Sequence, residues 1–120
     1  MKLLKSGEDY LETILILSKK GNVRAIDIVN ELNYTKPSVS IAMKKLKENG
    51  YIEINNSNIT LTQSGYEIAS RIYERHEILT RALTLLGVDK ETALKDACKL
   101  EHDLSDESFN AIKNHVTKMK

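Results

Sequence analysis

Apolar residues recur at helical spacing over most of this chain and at alternate positions over one short stretch. In residues 6–20, Tyr10, Leu11, Ile14, Leu15 and Leu17 share a face, which predicts a helix with Ser6 as its N-cap. Glu8 and Asp9 fall in the positive first turn, and Gly21-Asn22 ends the pattern. A second, shorter helix is predicted over Val23–Leu32, with Ile26, Val29 and Leu32 inward and Asn33-Tyr34 as the turn. Thr35 caps a third helix with Pro37 in its first turn, where a missing N–H costs nothing. Its inward stripe is Val39, Ala42, Met43 and Leu46, and Asn49-Gly50 stops it. The period then falls to two. Ile52 and Ile54, and Ile59 and Leu61, alternate with polar residues around the turn cluster Asn55–Asn58, the pattern of a β-hairpin. From Thr62, a cap, a long helix runs to about Leu86 with Ile68, Ile72, His76, Leu79, Leu83 and Leu86 as its stripe, ended by Gly87. A fifth helix is predicted from Asp89 or Lys90 to Asp103. A sixth opens at Ser105, with Phe109, Ile112, Val116 and Met119 on one face.

Helix, helix, turn, helix and polar-tipped hairpin is the order of a winged helix-turn-helix. The fold expected is therefore mainly α: a winged helix-turn-helix domain over residues 1–62, then a helical domain over residues 63–120. A recognition helix must keep its outer face free of apolar residues to enter a major groove about 12 Å wide. On the third helix the outward positions read as Lys36, Ser38, Ser40, Lys44, Lys45 and Lys47. Thr35, Lys36, Pro37, Ser38 and Ser40 stand at the base-facing end, and Lys44 and Lys45 where phosphates would lie. Asn56 at the wing tip suits a positioning contact. Taken alone, four lysines also describe a solvated helix face; the surrounding order of elements favours DNA.

Composition narrows the picture. The chain has 120 residues, one Pro and five Gly, too few breakers for a sandwich of many short strands. Six aromatic residues and no Trp make a thin core, which a second copy would complete. A single cysteine excludes an intrachain disulfide and a Cys-rich zinc knuckle, and fits a reducing, cytoplasmic setting. No apolar run reaches the roughly 18 residues of a membrane span, and Met1–Lys5 lacks the apolar core of a signal peptide. The net charge of +1 names no partner until it is divided: residues 1–62 carry nine basic and seven acidic side chains, residues 63–120 nine and ten.

The acidic half has the other chemistry. Cys98, Glu101 and His102 fall at i, i+3 and i+4, His76 sits on an apolar stripe, and Asp9 and Glu12 lie one turn apart on the first helix. Together they offer carboxylate, imidazole and thiolate, a set suited to a divalent transition metal rather than Mg2+ or Ca2+. Each has a plainer reading: a solvated acidic pair, a hydrogen-bonded core histidine, a cysteine packed as a small hydrophobe. A metal-dependent hydrolase or metal-storage protein is a rival from another class. The chain has no His-Glu-x-x-His motif, no general base beyond the ligands and no Gly-rich substrate loop, so no enzyme is expected.

The segments Ser6–Ile14, Tyr73–Leu79 and Ala97–Ser105 resemble the diphtheria toxin repressor / manganese transport regulator family of metal-activated repressors. The resemblance implies a homodimer on a roughly palindromic duplex operator, in the cytoplasm, repressing metal-uptake genes. It implies that Asp9, Glu12, His76, Glu101 and His102 match ligands of the manganese-sensing branch. That branch has Glu at the position of Cys98. The iron-sensing branch has Cys there, but Met in place of Asp9. The expected cofactor is therefore Mn2+ or Fe2+, with Zn2+ or Co2+ possible. Thr80 and Leu94 stand where a second site would need ligands. The dimer is expected through Leu79, Leu83, Phe109, Ile112 and Val116, with no third domain. The alternative function is a winged-helix regulator sensing a small organic ligand without metal.

Overall fold

The computed structural model describes residues 5–118. Met119 of the expected stripe, and Met1–Leu4 of the signal-peptide reading, lie outside them. The order is α1 (Lys5–Ser18), α2 (Ala25–Leu32), α3 (Lys36–Glu48), β1 (Ile52–Asn55), β2 (Asn58–Leu61), α4 (Gln63–Leu85), α5 (Lys90–Leu100) and α6 (Asp106–Lys118). The fold is mainly α, with one two-stranded antiparallel sheet. Two compact units divide the chain, Met1–Ser70 and Arg71–Lys120.

In the first unit, α1 buries Tyr10, Leu11, Ile14 and Leu15. Ser6 lies inside α1 and does not cap it, because the helix is already formed at Lys5. The second helix starts at Ala25, two residues later than expected. Val23 is held by the wing instead: its carbonyl accepts from Ile59 N at 2.7 Å, and its N–H donates to Asn58 Oδ1 at 3.2 Å. Arg24 N donates to Asp27 Oδ2 at 2.9 Å, closing the first turn of α2. Ile28 is the buried centre of α2, and Ile26, expected inward, is exposed. Two sequence neighbours of Ile26 are committed elsewhere, Val23 to the wing and Ile28 to the core, which turns Ile26 outward.

Asn33 takes the left-handed conformation at φ 58° that ends α2. Tyr34 follows, and its ring meets Tyr10 edge-on at 5.7 Å. Thr35 caps α3, accepting from Ser38 N at 3.2 Å, and Val39, Met43 and Leu46 face the core. The hairpin pairs Ile52 with Leu61 and Asn55 with Asn58. Its tip is Asn56-Ser57, both at positive φ, the two-residue turn whose twist matches the strands. Thr62 Oγ1 donates to Gly50 O at 2.7 Å and accepts from Gly65 N at 3.2 Å, tying hairpin to helix. At Gly65 a Cβ would stand 2.1 Å from the Tyr51 carbonyl oxygen, so only glycine lets α4 approach this closely.

In the second unit, Asp89 caps α5 by accepting from Glu91 N, and Ser105 caps α6 by accepting from Ser108 N, each at 3.1 Å. The core is Ile72, Leu79, Ala93, Ala97, Phe109 and Val116. The inward stripe of α4 differs from the expected one. It runs Ala69, Ile72, Arg75, Leu79, while Leu86 is 81% exposed. Leu79, Phe109 and Val116 are buried within the single chain, whereas Leu83 and Ile112 are half-buried.

Candidate metal centre and nucleic-acid interface

The second unit gathers three donors from two elements. His76 comes from the middle of α4 and Cys98 from the last turn of α5; Glu101 is the residue that caps α5. The helix ends at Leu100, so Glu101 and His102 lie just past it rather than on it. Glu101 keeps helical angles, φ −61° and ψ −24°, which preserves its one-turn spacing from Cys98. One donor atom from each of His76, Cys98 and Glu101 lies within 4.8 Å of the others.

Glu101 is the centre of this cluster. It is 1% exposed, a burial that a carboxylate tolerates only when paired. Its Oε2 lies 3.1 Å from His76 Nδ1, and its Oε1 lies 3.4 Å from His102 Nε2. The His102 imidazole is itself 2% exposed. Cys98 Sγ is 3.7 Å from the same His76 Nδ1 and opens to solvent. The hydrogen bond with Cys98, then that with Glu101, pushes the His76 pKa up to about 10, against the opposing effect of burial. A buried carboxylate, an imidazole and a thiol converging on one point fit a divalent transition metal by donor chemistry. On α1, Glu12 is buried and Asp9 half-buried, one turn apart.

Arg75 was assigned no role from sequence. It is 5% exposed. Its Nη1 donates to the carbonyls of Glu101 (3.2 Å) and Leu104 (2.6 Å), its Nη2 pairs with Asp106, and its guanidinium lies 5.1 Å from the centre of the Phe109 ring. One side chain thus shapes the joint between α5 and α6 that presents Glu101 and His102. The signal was present: an arginine three residues after Ile72 and four before Leu79 lies on an apolar stripe, where a charge needs a reason.

In the first unit, Lys36, Pro37, Ser38, Ser40, Lys44 and Lys45 are all exposed on α3, with Thr35 at its cap and Asn56 at the wing tip. The outer face is not free of apolar side chains, contrary to expectation. Ile41 stands on it at 58% exposure.

Residues 2–58 match the family described as iron dependent repressor, N-terminal DNA binding domain. Residues 62–120 match iron dependent repressor, metal binding and dimerisation domain. The chain belongs to this family of iron-dependent repressors. It is 38% identical to an HTH-type transcriptional regulator of Methanocaldococcus jannaschii over 97% of this chain and 96% of that one. It is 35% identical to the HTH-type transcriptional regulator MntR of Lysinibacillus sphaericus, over 96% of this chain and 84% of that one. Among solved structures, the manganese regulator SloR superposes with a TM-score of 0.82 at 26% identity, covering 98% of this chain and 55% of SloR. A manganese-dependent transcriptional repressor in complex with manganese gives 0.84 at 25% identity, covering 92% of this chain and 52% of that one. The chain thus spans about half the length of these two structural relatives. It is a metal-responsive, DNA-binding transcriptional regulator of the diphtheria toxin repressor / manganese transport regulator type. Among the described residues no helix is long and apolar enough to cross a membrane.

Proposed function

We propose that this chain represses metal-uptake genes in the cytoplasm as a homodimer, on a roughly palindromic operator, when Mn2+ or Fe2+ is bound. The observation that carries this reading is the buried Glu101 carboxylate, held between two imidazoles with the Cys98 thiol alongside, in a chain that begins with a winged helix-turn-helix.

His76, Cys98, Glu101 and His102 from residues 63–120 would hold the metal together with Asp9 and Glu12 from residues 1–62. The bound cation would supply the positive charge that lets carboxylates of both domains share one centre, and so would fix the reading domain on the dimer. The protein's own groups prepare this. Glu101 brings a buried negative charge, His76 must release a proton to become a ligand, and Cys98 adds a softer donor than carboxylate. Thr80 Oγ1 already donates to His76 O at 2.7 Å, and Leu94 has no donor atom, which supports one centre per chain.

The dimer would form on the apolar face that the single chain leaves open. Leu83, Leu86 and Ile112 line a concavity of about 410 Å3 there, backed by Leu79 and Val116. The DNA-facing set would be Thr35, Lys36, Pro37, Ser38, Ser40, Lys44 and Lys45 of the recognition helix, with Asn56 on the wing. Two such helices would enter successive major grooves about 34 Å apart.

The test is a fluorescence-anisotropy titration of operator DNA under anaerobic, reducing conditions with Mn2+, Fe2+ or chelator. Tighter binding with metal is expected, and equal affinity in chelator would overturn the reading. His76→Ala should weaken metal binding by about 100-fold or more while the chain still folds. His102→Ala leaving metal-dependent DNA binding untouched would favour a regulator of another ligand.

A further inference from the structure

We infer that Ile41 is a base-reading residue that packs against a thymine methyl group in the major groove. The inference rests on the proposed DNA-binding role of α3 and adds to it a specificity that charge and hydroxyl groups do not supply.

Ile41 is the most exposed large apolar side chain of the described first unit, at 58%. It stands two residues from both Val39 and Met43, about 200° round the helix from each. Those two are buried, so Ile41 points away from the core. Pro37 lies four residues before it and Lys44 three after, forming one outward ridge, with Ser38 and Lys45 alongside. The fold gains nothing from isoleucine here. A β-branched residue on an exposed helix face is a poorer helix former than alanine and buries little.

The neighbours limit what can cover it. Lysines one turn on match phosphate and repel an apolar protein partner. Within a major groove the base edges present hydrogen-bonding groups and one apolar group, the thymine C5-methyl. A stiff, branched side chain aimed at that groove selects thymine by packing on the methyl and disfavours cytosine, whose C5 carries only a hydrogen in its place. Thr35, whose hydroxyl is engaged at the helix cap by accepting from Ser38 N and donating to Ser38 Oγ at 2.8 Å, offers a thymine only its methyl group, a smaller apolar surface than the isoleucine side chain.

The experiment is selection of binding sites from a randomised duplex pool by the full chain with Mn2+. Each thymine of the enriched site is then replaced by uracil, which removes only the methyl. One uracil position per half-site should weaken the wild-type chain by about four-fold, the factor for one buried methyl-sized group. Ile41→Ala, which removes the contact from both helices of the proposed dimer, should bind the unmodified site about 16-fold weaker, the four-fold factor taken twice, ignore uracil at that position, and keep both its melting temperature and its salt dependence. If uracil swaps affect wild type and Ile41→Ala equally, or neither, the assignment is wrong. If the wild-type chain enriches no sequence with any divalent metal, the repressor reading falls, and the role of Ile41 with it.

Discussion

The two units are stabilised differently. The first is closed by short neutral contacts: Val23 on the wing strand, Tyr34 on Tyr10, Thr62 between hairpin and helix. Among the described residues the first unit buries one charged side chain, Glu12, whereas the second has both Arg75 and Glu101 in its interior and leaves Leu85, Leu86 and Leu100 uncovered. A reading head must hold its shape in every state. A sensing and pairing unit gains from a charged centre that a ligand can complete and from an apolar face that a second copy can cover.

Arg75→Met offers the largest break in this contrast. It leaves two carbonyls and Asp106 without their donor, and should destabilise the second unit by about 3 kcal/mol in chemical denaturation. The melting of the first unit should not move. Leu86→Glu should come next, weakening self-association by about 100-fold in sedimentation, or about 2.7 kcal/mol, with each unit still folded. A pH series on the metal-free chain sharpens the comparison further. Because the pKa of His76 is raised from 6.5 to about 10, the folded second unit holds that proton more tightly than the unfolded chain does. Its contribution to stability should be fully present below pH 6.5, decline through the interval and vanish above about 10. Metal affinity should rise with pH over the same interval as the proton becomes easier to displace. Circular dichroism at fixed denaturant and a metal-indicator competition would read the two effects. The smallest change expected is Thr35→Ala, which removes the α3 cap and should cost the first unit about 1 kcal/mol.

Much of this was legible in the sequence because local rules govern it. Thr35-Lys36-Pro37 starts a helix, Asn49-Gly50 stops one, and the alternation at Ile52, Ile54, Ile59 and Leu61 allows a hairpin and little else. The donors His76, Cys98 and Glu101 were found by type and spacing, and the structure brings them together. What stayed hidden depends on partners far along the chain. Val23 looks like the start of a helix until β2 takes its carbonyl, 36 residues on. Ile26 and Ile28 offer two equally apolar faces, and only packing chooses Ile28. Arg75 stands out on its apolar stripe, but the partners that explain it, the carbonyls of Glu101 and Leu104, lie 26 and 29 residues on.

The end of α5 has one more consequence. A helix gathers partial negative charge at its C-terminus, an unfavourable place for a carboxylate such as Glu101 and a favourable one for a cation. Arg75 already serves that terminus by donating to the Glu101 carbonyl. The same helix end therefore has one resident positive charge, and on the proposed metal-binding reading a second would sit beside it whenever the metal is bound.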